Sequence, residues 1–465
     1  MNLNQTLQEK YPHLEVSVFS YSKVKEHLIF GSEFNSNTRE NAIQSIISNK
    51  NVNDYFELIN TNVSTLKEFV YIYDLTHSLG NFMIDVEPTQ EIGSNKKEAI
   101  KGDFVISRLR SYLKEMAVIQ SKNFKQLLST EYLVYRPKTN LLSSNTLLAF
   151  SLSRIVQTIL NYSQYGTEHP RFYEFVFNEM PIPKCLLSMN TEIDSIMNKA
   201  YEVLEQSKIF YKKAEETLYL ELGLDPKNPL QSLLDSKINH SINSLNISIH
   251  TLKESFLKTG RLDSEYYQSK YEDIEKFIKS YPNGYDSFSS IINNKDTNFT
   301  PKNNENYSYI ELANIGNNGN ISEPISDLGK NLPTRARRIV SKGDVIISSI
   351  EGSLSSCALI TQEFDKHLVS TGFFVLNSKL LNGETLLVMF KSQIFQEYLK
   401  KFPSGTILCA INKEELSKIL IPKIDPTTQE KIAKYIQESF NLRKKSKQLL
   451  DNAKIKVEEQ IQGKV

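Results

Sequence analysis

Lys101-Gly102-Asp103-Phe104-Val105-Ile106-Ser107 returns as Lys342-Gly343-Asp344-Val345-Ile346-Ile347-Ser348, 241 residues further along the chain. The same offset carries Ser129-Thr130 onto Ser370-Thr371 and Lys138 onto Lys379. A two-residue deletion then shortens the offset to 239. At that value Gly166-Thr167 falls on Gly405-Thr406, Ile182-Pro183-Lys184 on Ile421-Pro422-Lys423, and Ser207-Lys208 on Ser446-Lys447. Upstream, Tyr71-Ile72 answers Tyr309-Ile310 at offset 238. Landmarks kept in one order over such a long period mean two copies of a whole domain, not a solenoid of short repeats. The chain reads as a tandem duplication.

With 465 residues it has room for two or three domains, each large enough for its own core. Hydrophobic residues make up 40% and charged residues 23%, the balance of a globular protein. The net charge of +1, from 55 basic and 54 acidic residues, lacks the global basic excess of many nucleic-acid binders. Segregation of charge by face leaves such a role open. No apolar run approaches the roughly 18 residues that span a bilayer. Met1-Asn2-Leu3-Asn4-Gln5 has neither the basic start nor the apolar stretch of a signal peptide. Cys185, Cys357 and Cys409 have no metal-ligand spacing, and an odd count argues against a disulfide framework. The expectation is a reducing cytoplasm and no membrane.

Each half has two parts. First comes a mixed region of short apolar runs, such as Phe69-Val70-Tyr71-Ile72-Tyr73 and Val345-Ile346-Ile347, separated by Asn, Gly, Ser and Pro. A long helix follows. In the first copy Ile193, Ile196, Ala200, Val203, Ser207, Phe210, Ala214 and Thr217 form a heptad-like stripe, with Thr191 as a cap and Gly223 and Pro226 as stops. In the second copy a helix opens at Asp425, Thr427 or Thr428 and runs past Ala453 to Ile461, with Leu442, Leu449, Ala453 and Val457 on its apolar side. Small residues on both stripes, among them Ala200, Ser207, Ala214, Ser446 and Ala453, would let the two backbones approach closely. The fold class is α+β: two duplicated mixed α/β domains, at 1–185 and 225–424, separated by long antiparallel helices at 186–224 and 425–465. A helix of ~34 residues extends roughly 50 Å, far beyond the average in a globular domain. A helical hairpin within one compact protein is the plainer alternative to a spacer.

These features resemble the specificity subunit of type I restriction–modification systems. The resemblance rests on the Lys-Gly-Asp strand, the Ser-Thr strand, the Gly-Thr turn and an Ile-Pro that ends each domain. Its most specific part is the string Ile421-Pro422-Lys423-Ile424-Asp425-Pro426-Thr427-Thr428-Gln429-Glu430-Lys431-Ile432. Arg261-Leu262-Asp263-Ser264-Glu265-Tyr266-Tyr267 is similar to a segment near the start of recognition domains. Residues 69–224 and 247–463 carry the likeness; the first copy departs from it at Glu168-His169-Pro170-Arg171-Phe172. The resemblance implies that 1–185 and 225–424 are target-recognition domains. Each would read one part of a split double-stranded DNA sequence. The helices would act as a ruler between the two parts and as a docking surface. The implied partners are two DNA adenine methyltransferase subunits, which use S-adenosylmethionine, and translocating restriction subunits. The chain itself would be non-catalytic, without cofactor or metal, in a system of DNA methylation and phage defence. A related methylation or defence system, and a protein-binding scaffold, are the alternatives.

The residues agree that catalytic machinery is missing. There is no Asn/Asp-Pro-Pro-Tyr/Phe motif, no HExxH, and no glycine-rich turn suited to S-adenosylmethionine. Gly316-Asn317-Asn318-Gly319 is a turn by composition. Candidate phosphate contacts are Lys96, Lys97 and Lys101 in the first copy, and Arg335, Arg337, Arg338 and Lys342 in the second. A solvated charged face is the ordinary alternative for such runs. Candidate base readers follow the Lys-Gly-Asp strands: Arg108, Arg110 and Lys114 in the first copy, Ser348, Ser349 and Glu351 in the second. Surface salt bridges are the alternative for these. Gly166-Thr167 and Gly405-Thr406 read as structural turns, and the Ile-Pro pairs as extended exits before the helices.

Overall fold

The computed structural model describes residues 3–14, 16, 18–25, 27–235, 249–405 and 408–463. Thr406, half of the second Gly-Thr pair, lies outside them. The chain divides into two units, Met1–Leu204 with Lys444–Val465, and Glu205–Arg443. Both boundaries fall inside long helices, so each unit holds one mixed α/β part and one half of each helix.

The first unit carries strands β1 (Phe56–Ile59), β2 (Asn62–Val63), β3 (Val70–Tyr73), β4 (Lys96–Ala99), β5 (Phe104–Ser107), β6 (Met116–Val118), β7 (Lys125–Ser129), β8 (Tyr132–Pro137), β9 (Gln164–Tyr165) and β10 (Arg171–Phe172). One sheet, ordered β1-β8-β5-β6, is antiparallel throughout. The other, β2-β4-β7-β3, includes one parallel pair, β3 with β7. Strand β5 is buried on both faces, which explains its unbroken apolar run. Phe104 and Ile106 face helices α1 (Ser144–Ser151), α2 (Arg154–Asn161) and the first part of α3 (Cys185–Glu221); Val105 faces the second sheet.

The second unit carries β11 (Tyr285–Ser287), β12 (Ile292–Asn294), β13 (Asn306–Ile310), β14 (Ile325–Leu328), β15 (Ala336–Ile339), β16 (Val345–Ser348), β17 (Cys357–Leu359), β18 (Leu368–Ser370), β19 (Phe373–Ser378) and β20 (Leu420–Pro422). Its first sheet, β12-β19-β16-β17, repeats the topology of the first unit strand for strand. In the second sheet β15-β18-β13 repeats β4-β7-β3, with the parallel pair at the same place, β13 with β18. The difference is one edge strand. The first unit adds β2 beside β4, whereas the second adds β14 beside β13, on the opposite edge.

The repeated Lys-Gly-Asp triplet is a turn feeding β5 and β16. Gly102 and Gly343 have φ of +91° and +88°, a left-handed conformation that glycine adopts without steric cost. The aspartate closes the turn: Asp103 Oδ2 accepts from the Ile100 N–H at 2.9 Å, and Asp344 Oδ2 from the Ser341 N–H at 2.7 Å. Each buried carboxylate has a cation, Arg136 at 2.8 Å through two bonds and Lys295 at 2.7 Å. The repeated Ser-Thr is a turn as well, with Ser129 and Ser370 hydroxyls accepting from the N–H of Glu131 and Gly372.

Helices α4 (Gly383–Lys391) and α5 (Gln393–Leu399) lie in the second unit and repeat α1 and α2. The last helix, α6 (Pro426–Ile461), has 36 residues against 37 in α3. The two run antiparallel in both units. Ser446 donates its hydroxyl to the Ala200 carbonyl at 2.8 Å, and Ser439 donates to the Ser207 carbonyl at 2.7 Å. Each residue involved is buried, so the small side chains do bring the backbones together. Val203 of α3 is buried while its match Leu442 is half-buried; the other buried seam residues of α3 are Ile193, Met197, Ala200, Ser207, Tyr211, Ala214 and Leu218. At offset 239 each of these others has a buried match in α6: Ile432, Ile436, Ser439, Ser446, Leu450, Ala453 and Val457. Ile196, Phe210 and Thr217, expected on the stripe, stand half-buried beside it, and Leu450 takes the place expected of Leu449.

Helix α3 begins at Cys185, so Thr191 lies within it and caps nothing. It ends at Glu221, with Gly223 just beyond at φ +74°. Asp425 caps α6, accepting from the Thr427 N–H at 2.8 Å, with Pro426 at the first helical position. Gln429 then binds the helix to its domain, accepting from the Asn382 N–H at 2.9 Å and donating to the Leu380 and Ile424 carbonyls. Asn190, its match at offset 239, accepts from the Ser143 N–H at 2.8 Å. Among the described residues no helix is long and apolar enough to cross a membrane, and no group of three or more His, Cys, Asp or Glu could hold a metal ion.

Candidate nucleic-acid interface

At the end of β5 the chain leaves through residues 108–114 and meets the β9–β10 hairpin, whose tip holds Gly166 and Thr167. A small set of backbone bonds fixes this meeting, and the second unit repeats it. The Phe172 N–H donates to the Arg108 carbonyl at 3.1 Å; the Ile411 N–H donates to the Ser349 carbonyl at 2.8 Å. The Arg110 N–H donates to Pro170 at 2.8 Å; that of Glu351 donates to Cys409 at 3.0 Å. The Arg108 N–H donates to Glu131 at 3.0 Å; that of Ser349 donates to Gly372 at 2.9 Å. These bonds define equivalent positions without reference to side chains. They are 108 and 349, 110 and 351, 131 and 372, and 171 and 410.

The side chains at those positions do not match. In the first unit Glu131 gathers two arginines. Arg171 meets it in a fork, Nε to Oε2 at 3.0 Å and Nη2 to Oε1 at 2.8 Å, and Arg108 lies 3.5 Å away. The hydrogen bond from Arg171 holds the Glu131 carboxyl below the usual carboxylate range. Arg110 is in no ion pair among the described residues; its Nη2 donates to His169 Nδ1 at 2.9 Å. Its backbone is left-handed at φ +49°, as is that of Lys114 at +54°, unusual for residues with a Cβ. Beneath the loop the Ser111 hydroxyl donates to Asn161 Oδ1 at 2.6 Å, and Gln164 Nε2 donates to Ser111 at 2.7 Å. In the second unit the corresponding residues are Ser349, Glu351, Gly372 and Ala410, with Leu408 where offset 239 places His169. Glu351 is exposed, and the Ser349 hydroxyl donates to the Gly372 carbonyl at 2.9 Å.

The expected site residues separate into three groups. Lys96, Arg108, Arg110, Lys114, Arg335, Arg337 and Ser349 lie around the exit loops and the adjoining strand ends, exposed or partly so. Lys101 and Lys342 are exposed too, but at the opposite end of β5 and β16. The third group is a correction. Lys97 is buried, with its ammonium donating to the Tyr132 carbonyl at 2.8 Å. Arg338, its equivalent, donates to the Phe373 carbonyl. Burial lowers the pKa of both cations. Both brace the turn between neighbouring strands; the buried Lys97 ammonium is spent there, whereas Arg338 is half-buried and uses one guanidinium nitrogen. Ser348 is buried as well, its hydroxyl shared with Ser353 at 2.8 Å and accepting from the Ile350 N–H.

Sequence reading passed over Glu131, His169 and Arg171. The break in the repeat at 168–172 was a signal for His169 and Arg171; Glu131, next to the kept Ser129-Thr130 pair, had none. The segment Arg261–Tyr267 lies beside the chain that leads into the isolated Ser404–Ala410 bridge of the second unit. Arg261 donates to the Phe402 and Pro403 carbonyls at 3.1 and 2.8 Å and stacks on Tyr266 at 4.5 Å. In the first unit Arg39 takes that part, donating to Ser163 at 2.7 Å and standing 3.8 Å over Phe34.

No family model matches the chain. Over 129 residues it is 29% identical to the type I restriction enzyme HindI specificity subunit of Haemophilus influenzae. The match takes in 27% of this chain and 28% of that relative, so it spans little more than a quarter of the relative's length. Among solved structures, the S subunit of a type I restriction–modification system from M. genitalium is similar at 13% identity and a TM-score of 0.41, covering 90% of this chain and 96% of that one. The HsdS subunit from Thermoanaerobacter tengcongensis is similar at 14% identity and a TM-score of 0.29, with the same coverage. The resemblance read from the repeat is to the same kind of protein as this curated relative.

Proposed function

We propose that the chain is the DNA sequence-specificity subunit of a type I restriction–modification complex. Each mixed α/β part reads one half of a bipartite duplex target. The observation that carries this reading is a shared strand order and a shared set of backbone bonds at the exit loops, carrying unlike side chains. A duplicated frame supplies the same approach to DNA twice, and different side chains on it read different bases. Exposed cations near the exit loops would supply the phosphate contacts that position each unit. The long helix pair would set the gap between half-sites and dock two adenine methyltransferase subunits, with restriction subunits joining for cleavage. The chain would do no chemistry of its own.

The reading is tested by purifying the chain with a candidate methyltransferase and selecting bound sequences from a random duplex pool. A two-part motif with a fixed non-specific gap is expected. Failure to retain any duplex, even with the methyltransferase present, would favour a protein-binding scaffold.

A further inference from the structure

Positions 110 and 351 are presented by the same backbone bonds, to Pro170 and Cys409 respectively, yet they carry opposite charges. Around Arg110 the other arginines are occupied. Arg108 and Arg171 are both committed to Glu131. Arg110 makes no ion pair among the described residues: its guanidinium feels the Glu115 carboxyl, is tethered by one bond to His169, and is carried on left-handed backbone. In the second unit the frame offers no arginine at any equivalent position. It offers Glu351, an exposed acceptor.

On the reading that the chain is a DNA-specificity subunit, we propose that Arg110 reads a guanine in the half-site of the first unit. Glu351, at the matching place in the second unit, takes a base that presents an exocyclic amine. The chemistry is that of the major-groove edges. A guanidinium donates two parallel bonds to guanine O6 and N7, and a carboxylate accepts from the amine of cytosine or adenine. His169 would fix the guanidinium plane, and Glu131 would keep Arg108 and Arg171 directed to the rim. Arg110 is thus a specificity residue, and its two neighbours are positioning residues.

The test maps methylated motifs in cells carrying the whole chain with its methyltransferase, as wild type, Arg110→Ala, Arg110→Gln and Glu351→Ala. The expected wild-type motif has a guanine in one half. In Arg110→Ala that position becomes degenerate, with about tenfold or more loss of discrimination, while the other half is unchanged. Arg110→Gln should move preference at that position toward adenine, which a merely misfolded loop would not do. Glu351→Ala should relax one position in the opposite half only. An intact two-part motif with the guanine still required in Arg110→Ala, or relaxation in the wrong half, overturns this proposal and leaves the specificity-subunit reading standing. Absence of any two-part motif in the wild type overturns both.

Discussion

Lys97 and Lys114 have the same charge in the sequence and opposite fates in the fold. Burial and a bond to its own backbone make Lys97 part of the frame, whereas Lys114 stands exposed on the exit loop. Lys97→Met should therefore lower stability by about 1–3 kcal/mol, the cost of an unmet buried carbonyl, and leave the salt dependence of DNA binding unchanged. Lys114→Met should do the reverse: little effect in a denaturant melt, but a slope of log affinity against log salt shallower by about 0.9 if Lys114 neutralises one phosphate. The Lys-Gly-Asp triplet was legible as a repeat but not as a turn. Its aspartate is buried at 1% exposure and its partner differs between copies, Arg136 and Lys295, so no sequence offset pointed to the pair. Asp103→Ala should cost roughly 2–3 kcal/mol in unfolding, since it strands an arginine and frees a turn.

At the scale of elements, both long helices were readable from 3-4 spacing, and their small residues correctly pointed to close backbones. The register of the seam was not readable. Apolar or near-apolar neighbours occur together at Ile196-Met197, Phe210-Tyr211 and Thr217-Leu218, and only the opposing helix decides which of each pair is buried. The strands of the sheets were visible as apolar runs, but the edge strand added on opposite sides of the two units was not, because its residues are not part of the repeat. Ala453 and Ala214 are fully buried where the helices meet their neighbours. Ala453→Leu should destabilise by about 1–3 kcal/mol through overpacking, measurable by chemical unfolding. A matched seven-residue insertion, after Ser207 in α3 and after Ser439 in α6, keeps the heptad seam in phase and adds about 10 Å of helix. On the proposed ruler, the gap in the methylated motif should lengthen by roughly three base pairs. An unchanged gap would remove the ruler.

For the molecule as a whole, a near-zero net charge conceals local clusters, and one half-buried acid should show in the pH dependence of folding. Glu215, on the second half of α3, has its pKa pushed up to about 7 by burial. The folded chain thus binds more protons than the unfolded chain between the ordinary value of 4.5 and about 7. Stability should fall as pH rises through that window, by up to about 3 kcal/mol. Glu215→Gln should flatten the profile, as read by thermal unfolding at a series of pH values. The duplication was legible at whole-chain scale because a turn, a strand and a helix cap each need particular residues twice. The reading surface was legible only in part, because it consists of the positions where the copies differ. The central claim is that two like frames read two different half-sites. Its most direct measurement is a genome-wide map of methylated adenine in a strain expressing the chain with its methyltransferase. The account predicts one motif of two unlike specific parts separated by a constant run of unspecified bases. A single continuous motif, two identical halves, or no chain-dependent methylation would contradict it.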